Sequence, residues 1–182
     1  MKAPERIETS RLVLRRPTID DAEGVFTRYA GDVEVTKYVG WPRHRSVEHS
    51  RAFLRFSESE WSRWPAGPYL IESRTDHRLL GSTGLGFESP SVAGTGYVLA
   101  RDSWGYGYAT EALFTIVNIA RALEILHLYA LCHPEHPASI RVLEKCGFHF
   151  EQRLEQFAEF PNLNPGAPID CLRYVRQPVT VA

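Results

Sequence analysis

The sequence predicts an α/β fold of the α+β kind: a mixed, mostly antiparallel central sheet with about four helices on its faces. Three observations lead there. The hydrophobic period switches along the chain between two and 3.6 residues, giving the order β, α, α, β, β, β, α, β, α, β, β. The 182 residues, 43% hydrophobic and 24% charged, have ordinary globular composition, so 1–182 reads as a single domain. No period of about 20 to 50 residues recurs, and no Ser/Gly or charge-block linker divides the chain.

Ile7 to Arg16 carries Leu12-Val13-Leu14 between charged neighbours, a half-buried strand that Pro17 stops. Thr18-Ile19-Asp20-Asp21 reads as a capping box, with Asp21 reaching back to the helix start. Ala22, Val25, Phe26 and Tyr29 then share one helical face and Gly31 closes it. Ser46 caps a second helix running to about Trp61, with Ala52, Phe53 and Phe56 expected inward. From Pro68 the period is two: Tyr69 to Ser73 is a strand, Thr75-Asp76 a turn, Leu79 to Phe87 the antiparallel partner and Gly94 to Ala100 a third strand. The glycines of Gly81-Ser82-Thr83-Gly84-Leu85-Gly86 predict a bulge or a close backbone approach. After Gly107, Leu113, Ile116, Val117, Ala120 and Leu123 line one face of a helix about 25 Å long. Leu126 to Cys132 is a short strand. Pro137 opens a compact helix with Ile140, Leu143 and Cys146 inward and Gly147 behind. Phe148 to Phe160 and Ile169 to Arg176 are the last strands, joined by a loop from Pro161 to Pro168.

Composition excludes several function classes. A net charge of −1, from 21 basic and 22 acidic side chains, argues against a domain that neutralises nucleic-acid backbones. No apolar stretch reaches the roughly 18 residues of a membrane helix, and the first residues lack a hydrophobic signal core, so a soluble, unexported, cytoplasmic protein is expected. Cys132, Cys146 and Cys171 are an odd set without a C-x-x-C pair, which provides neither a disulfide framework nor a cysteine zinc site. His133-Pro134-Glu135-His136 cannot take the helical register of an H-E-x-x-H motif, because its prolines forbid it. No metal is expected.

The segment that carries chemistry is Ala100-Arg101-Asp102-Ser103-Trp104-Gly105-Tyr106-Gly107-Tyr108-Ala109-Thr110-Glu111. It joins a strand end to a long helix through small residues at Gly105, Gly107 and Ala109, where a ligand can approach the main chain. The free N–H groups and positive dipole end of that helix suit phosphate oxygens; a tight turn needing glycine only for its dihedrals is the alternative. It is not a P-loop, since no G-K-[ST] follows.

These residues, with Tyr97-Val98-Leu99 before them and Pro137-Ala138-Ser139-Ile140-Arg141-Val142-Leu143-Glu144-Lys145-Cys146-Gly147-Phe148 about thirty residues on, resemble the GNAT acetyltransferase superfamily, and within it the RimJ/RimL branch of ribosomal-protein N-terminal acetyltransferases. Glu8-Thr9-Ser10-Arg11-Leu12-Val13-Leu14-Arg15 resembles the first strand of that branch, and Asp170 and Tyr174 fit its last. The resemblance implies a strand pair that splays to hold acetyl-CoA, with the main chain of Val98, Leu99 and Ala100 pairing with the pantetheine arm. It implies that backbone N–H groups across Gly105, Tyr106, Gly107, Tyr108, Ala109 and Thr110 hold the pyrophosphate. The loop opens with Trp104 where many relatives have Arg or Gln. His136 stands where relatives have an Asn that touches the pantetheine arm, and Ser139 stands where a hydroxyl lies near the thioester sulfur.

The implied reaction is direct attack of a primary amine on the acetyl thioester. It needs a neutral amine, donors for the oxyanion and a proton for the leaving thiolate. The N–H near Leu99 is the expected oxyanion donor and Ser139 the expected acid. Glu72 and Glu88 are candidate bases, while Cys132 and Cys146 sit in apolar runs and are not expected to be nucleophiles. An α-amine, with a pKa near 7.7 to 8.0, is about a tenth neutral at pH 7, whereas a Lys amine near 10.4 demands a dedicated base. The resemblance makes a protein or peptide N-terminus the expected acceptor. Small amines, antibiotics, longer acyl donors and a non-catalytic acyl-CoA-binding module are the alternatives, and a homodimer is common among relatives. Tyr38, Trp41, Trp61 and Trp64 are candidates for the acceptor side, which the Pro161–Pro168 loop should overhang.

Overall fold

The computed structural model describes residues 1–176. The predicted first strand is two: β1 (Arg6–Glu8) and β2 (Leu12–Arg15) pair antiparallel around the turn at Thr9. The capping box is present, with the Asp21 carboxylate accepting from the Thr18 N–H at 2.7 Å. It opens a 3-10 turn, Ile19–Asp21, that runs into α1 (Ala22–Val25) and then a π-helical turn, Phe26–Ala30. The elements α2 (Val47–Arg63), β3 (Pro68–Ser73), β4 (Leu79–Ser89) and β5 (Val92–Leu99) follow. The chain continues with α3 (Tyr108–Ala122), β6 (His127–Cys132), α4 (Pro137–Lys145), β7 (His149–Ala158) and β8 (Ile169–Arg176).

The strands form one sheet in the order β1-β2-β3-β4-β5-β6-β8-β7. Every neighbouring pair is antiparallel except β5 and β6. The larger core lies under α3 and α4, where Ala112, Leu113, Ile116 and Leu143 meet Leu12, Leu14, Ile71 and Leu99. A second core on the other face packs Ala22, Val25, Tyr29 and Leu54 against Leu70, Val98 and Ala100. Alternate residues of β5 thus serve different cores, as a strand covered on both faces requires.

One inward face was misassigned from sequence. Ser50, Leu54, Ser57 and Trp61 are the buried residues of α2, while Ala52 and Phe56 are exposed and Phe53 is half-buried. Two buried serines on that face hide its true direction from a purely apolar pattern. The glycine run in β4 does mark close approach: a Cβ on Gly81 would lie 2.0 Å from the Val98 carbonyl oxygen, and one on Gly84 would lie 2.7 Å from Pro68 Cα. The register of β3 on β4 shifts at Ile71/Glu72, beside Gly81.

Candidate active site at the splayed strands

β5 and β6 pair only over Val92–Gly94 against His127–Tyr129. Both run on past that point, β5 to Leu99 and β6 to Cys132, so their carboxyl ends diverge. Which backbone groups face the gap follows from the β4 ladder. Ala100 N–H donates to the Leu80 carbonyl at 2.7 Å, and residues 98, 96 and 94 share its register against 82, 84 and 86. The alternation of an antiparallel ladder turns Val98 toward β4 and turns Tyr97 and Leu99 toward β6, where no strand meets them. The Ala100 carbonyl accepts from Ser103 N–H. The expected pantetheine contacts at Val98, Leu99 and Ala100 therefore narrow. Leu99 faces the gap, Tyr97 joins it, and the main chains of Val98 and Ala100 are engaged elsewhere. Tyr97 was missed as a site residue, although strand alternation from Leu99 points to it.

The two sides of the gap are tied at one place. The Tyr97 hydroxyl lies 2.8 Å from Ser139 Oγ and donates to the Ser139 carbonyl at 3.0 Å. Burial pushes the Tyr97 phenol well above its ordinary value, so it stays protonated. Ser139 is in the first turn of α4, and its N–H bonds back to the His136 carbonyl. Trp104, the opening residue of the glycine loop, donates from Nε1 to the Leu99 carbonyl at 2.9 Å. The indole thereby holds the end of the splayed strand and leaves the Leu99 N–H as its free polar group on that side.

The glycine loop adopts the conformation its residues permit. Gly105 and Gly107 have φ of +82° and +79°, the left-handed region, and nothing lies within 4 Å of where a Cβ on Gly105 would be. The first helical bond of α3 runs from Glu111 N–H to the Gly107 carbonyl, so the N–H groups of Tyr108, Ala109 and Thr110 have no intrahelical acceptor. An open cavity of about 390 Å³ flanks this turn, lined by Arg11, Gly107, Thr110 and Glu111 among others.

Two ion clusters set the loop, and neither could be read from local sequence. Asp102 is held by Arg28 at 2.8 Å and Arg78 at 3.1 Å, which keeps its carboxyl below the usual range. On the other side, Glu111 accepts from the Thr9 hydroxyl at 2.6 Å, the Ser10 hydroxyl at 3.0 Å and the Arg11 main chain at 3.0 Å. It also pairs with the Arg11 guanidinium at 2.7 Å. Burial works against the Glu111 charge, but these donors outweigh it and hold its carboxyl below the usual range. Arg11 in turn donates to the Tyr106 carbonyl at 2.7 Å, inside the glycine loop.

The far rim is aromatic. Tyr38 stacks on His136 with ring centroids 4.7 Å apart and lies 4.8 Å from His133, whose other neighbour is Phe160, edge-on at 4.8 Å. Asn162, in the Pro161–Pro168 loop, donates from Nδ2 to the carbonyls of Thr36 at 2.7 Å and Trp41 at 2.9 Å, and its Oδ1 accepts the Arg43 N–H at 2.8 Å. The loop thus fixes the segment that carries Tyr38 and Trp41. Trp61 belongs to the core, with its Nε1 on the Pro68 carbonyl, and Trp64 stacks on Phe87.

The candidate bases Glu72 and Glu88 are engaged, Glu72 with Arg15 at 2.7 Å and Glu88 with the Tyr129 hydroxyl. Cys132 and Cys146 are buried and burial pushes their thiols up, Cys146 to about 11, which disfavours the thiolate. Among the described residues no group of three or more His, Cys, Asp or Glu side chains is placed to hold a metal ion, and no helix is long and apolar enough to cross a membrane.

Comparison with known proteins bears on this arrangement. Residues 11–149 match the family model described as Acetyltransferase (GNAT) domain. The chain is 31% identical over 161 residues to a Bacillus subtilis (strain 168) protein named Uncharacterized N-acetyltransferase YoaA, covering 83% of this chain and 86% of that one. Its fold is similar to that of MccE, a microcin self-immunity acetyltransferase solved with acetyl-CoA and AMP (TM-score 0.83, 21% identity, 96% of this chain and 97% of that one). It is also similar to that of RimL, a ribosomal-protein alpha-N-acetyltransferase solved with coenzyme A (TM-score 0.82, 21% identity, 96% and 98% covered).

Proposed function

Since the chain belongs to the GNAT acetyltransferase family, we propose that it transfers the acetyl group of acetyl-CoA to the α-amine of a peptide or protein N-terminus, with residues 1–182 as one catalytic domain. The observation that carries this reading is the splay of β5 from β6. It turns the Leu99 N–H into an opening whose far side carries Ser139, which the Tyr97 hydroxyl reaches from β5. The glycine loop stands at the end of β5 with three free helix N–H groups for the pyrophosphate.

In this reading the pantetheine arm lies along the unpaired edge of β5 and contacts Tyr97 and Leu99. The carbonyl oxygen of the thioester approaches the Leu99 N–H, which stabilises it as negative charge develops there. The amine attacks the carbonyl carbon, the C–N bond forms and the C–S bond breaks. The thiolate departs toward Ser139, whose hydroxyl turns from the Tyr97 oxygen to hydrogen-bond the sulfur, and takes up the proton that the new amide nitrogen sheds. The preference for an α-amine follows from the engagement of Glu72 and Glu88: with no free carboxylate base among them, an acceptor already partly neutral near pH 7 is favoured over Lys. Likeness in fold to RimL supports the same choice.

The test is release of free thiol from acetyl-CoA in the presence of peptides with free N-termini, polyamines or aminoglycosides. Turnover is expected with the peptides. Turnover confined to small amines moves the substrate class, and acetyl-CoA binding without thiol release to any amine refutes the enzymatic reading.

A further inference from the structure

We propose that the His136 imidazole is the proton acceptor for the incoming ammonium, and so a catalytic residue of the acceptor side rather than a contact of the pantetheine arm. This rests on the acetyl-transfer reading above and adds the group which that reading lacks.

The placement of the ring is the main support. His136 caps α4, one turn before Ser139, so the two side chains start about 4.5 Å apart along the helix axis. That spacing suits an amine and a leaving sulfur bonded to one carbon. The ring is turned onto Tyr38, in the connection between α1 and α2, with planes 25° apart; the phosphate donors belong to α3. Among the described residues its nitrogens make no hydrogen bond, and its neighbours act on it only through burial and charge.

The surroundings keep the ring neutral. Burial, and then His133, hold the His136 imidazole below the usual histidine range. His133 is itself held down by burial, and its Nδ1 accepts the Glu135 N–H at 3.1 Å. The other groups facing this corner are Lys37, whose Nζ sits 5.0 Å from the Tyr38 ring, Glu135 in the same turn, and Cys132, whose Sγ is 4.0 Å from the His136 carbonyl. At His133, Glu135 raises the imidazole more than Lys37 lowers it, and burial outweighs both.

With the imidazole held below the usual histidine range, the amine's own pKa decides which substrate can give up its proton. Taking a proton from a Lys ammonium of about 10.4 is about 250-fold harder than from an α-ammonium of about 8. The reaction balances: the ammonium gives one proton to His136, the free amine attacks, the C–N bond forms and the C–S bond breaks. The second amine proton neutralises the departing thiolate, and the imidazolium returns its proton to solvent.

The test compares wild type with His136→Asn, which keeps a donor and an acceptor but cannot take up a proton. With saturating acetyl-CoA and a peptide bearing a free N-terminus, wild-type kcat should fall on acidification with an apparent pKa below 6.5. His136→Asn should lose that limb and about 10²-fold in kcat at pH 7.5, with the KM for acetyl-CoA little changed. Tyr38→Leu, which lets water reach the ring, should move the limb up toward 6.5. An acid limb that persists in His136→Asn, or kcat retained with a raised KM for acetyl-CoA, overturns the proposal and returns His136 to the pantetheine arm while leaving acetyl transfer intact. Wild-type protein that binds acetyl-CoA but acetylates no amine overturns both readings.

Discussion

Replacing Gly107 by Asp puts the proposed phosphate site under a test in which stability and binding should separate. Gly107 has φ of +79°, and the nearest atom to a Cβ there is Arg11 Nη2 at 3.6 Å, so the change meets no backbone. The left-handed conformation costs about 1 kcal/mol for a residue with a Cβ, and somewhat less for Asp. Against that, a carboxylate at the start of α3 gains about 0.3–1 kcal/mol from the helix dipole, and Arg11 lies beside it. The variant should therefore unfold within about 1 kcal/mol of wild type in urea. Binding should respond in the opposite sense. At about 5 Å and an effective dielectric between 20 and 80, each unit of phosphate charge is repelled by about 0.8–3.3 kcal/mol, and the amide dipoles are partly neutralised. Acetyl-CoA affinity by calorimetry should drop by tenfold or more, and the loss should shrink at high salt. A short acetyl thioester that lacks the pyrophosphate should react with wild type and variant alike. Unchanged acetyl-CoA affinity in a folded Gly107→Asp protein would remove the glycine loop from the binding site.

Three further outcomes follow from the contacts described. Ser139→Ala should lower kcat tenfold or more with acetyl-CoA affinity nearly intact, and Tyr97→Phe, which leaves the Ser139 hydroxyl in place, should cost less; equal kcat in all three proteins would exclude a role at the sulfur. Glu111→Gln should destabilise the fold by about 1–3 kcal/mol at pH 7, because four donors lose their charged partner. The carboxyl is depressed in the fold, so its contribution is complete above the unfolded value near 4.5 and is lost as pH falls through the folded value; urea midpoints of the two proteins should converge as the pH drops below that unfolded value, and a constant gap would exclude that linkage. Asn162→Ala should cost about 1–3 kcal/mol of stability through three lost hydrogen bonds and raise the KM of the acceptor while leaving that of acetyl-CoA unchanged. Acceptor kinetics identical to wild type would detach the Pro161–Pro168 loop from acceptor binding.

Local signals carried most of the elements. Pro137 and Gly147 bracket α4, and the 3.6-residue spacing of Leu113, Ile116, Val117 and Ala120 set the buried face of α3, where all four are buried. The glycines of β4 marked a close approach that the structure places at Gly81 and Gly84. Where polar residues are buried the pattern misled, as in α2, whose inward face includes Ser50 and Ser57. The split of the first strand at Thr9 was also hidden, because that turn is secured by Glu111, about a hundred positions away.

The same division runs through the site. By itself the sequence determined the glycine loop, the capped start of α4 with His136 and Ser139, and a near-neutral composition that leaves main-chain N–H groups as the proposed phosphate donors. Those are consequences of dihedral freedom, helix capping and side-chain chemistry, which act over a few residues. Tertiary structure alone decided that β5 leaves β6 after Gly94, that Tyr97 meets Ser139 across the gap, and that Tyr38 covers His136. It also decided that Glu72 and Glu88 are engaged. Strand pairing, ion pairs and ring stacking join residues tens of positions apart, and their energies depend on distance in space, which the order of residues along a chain does not record.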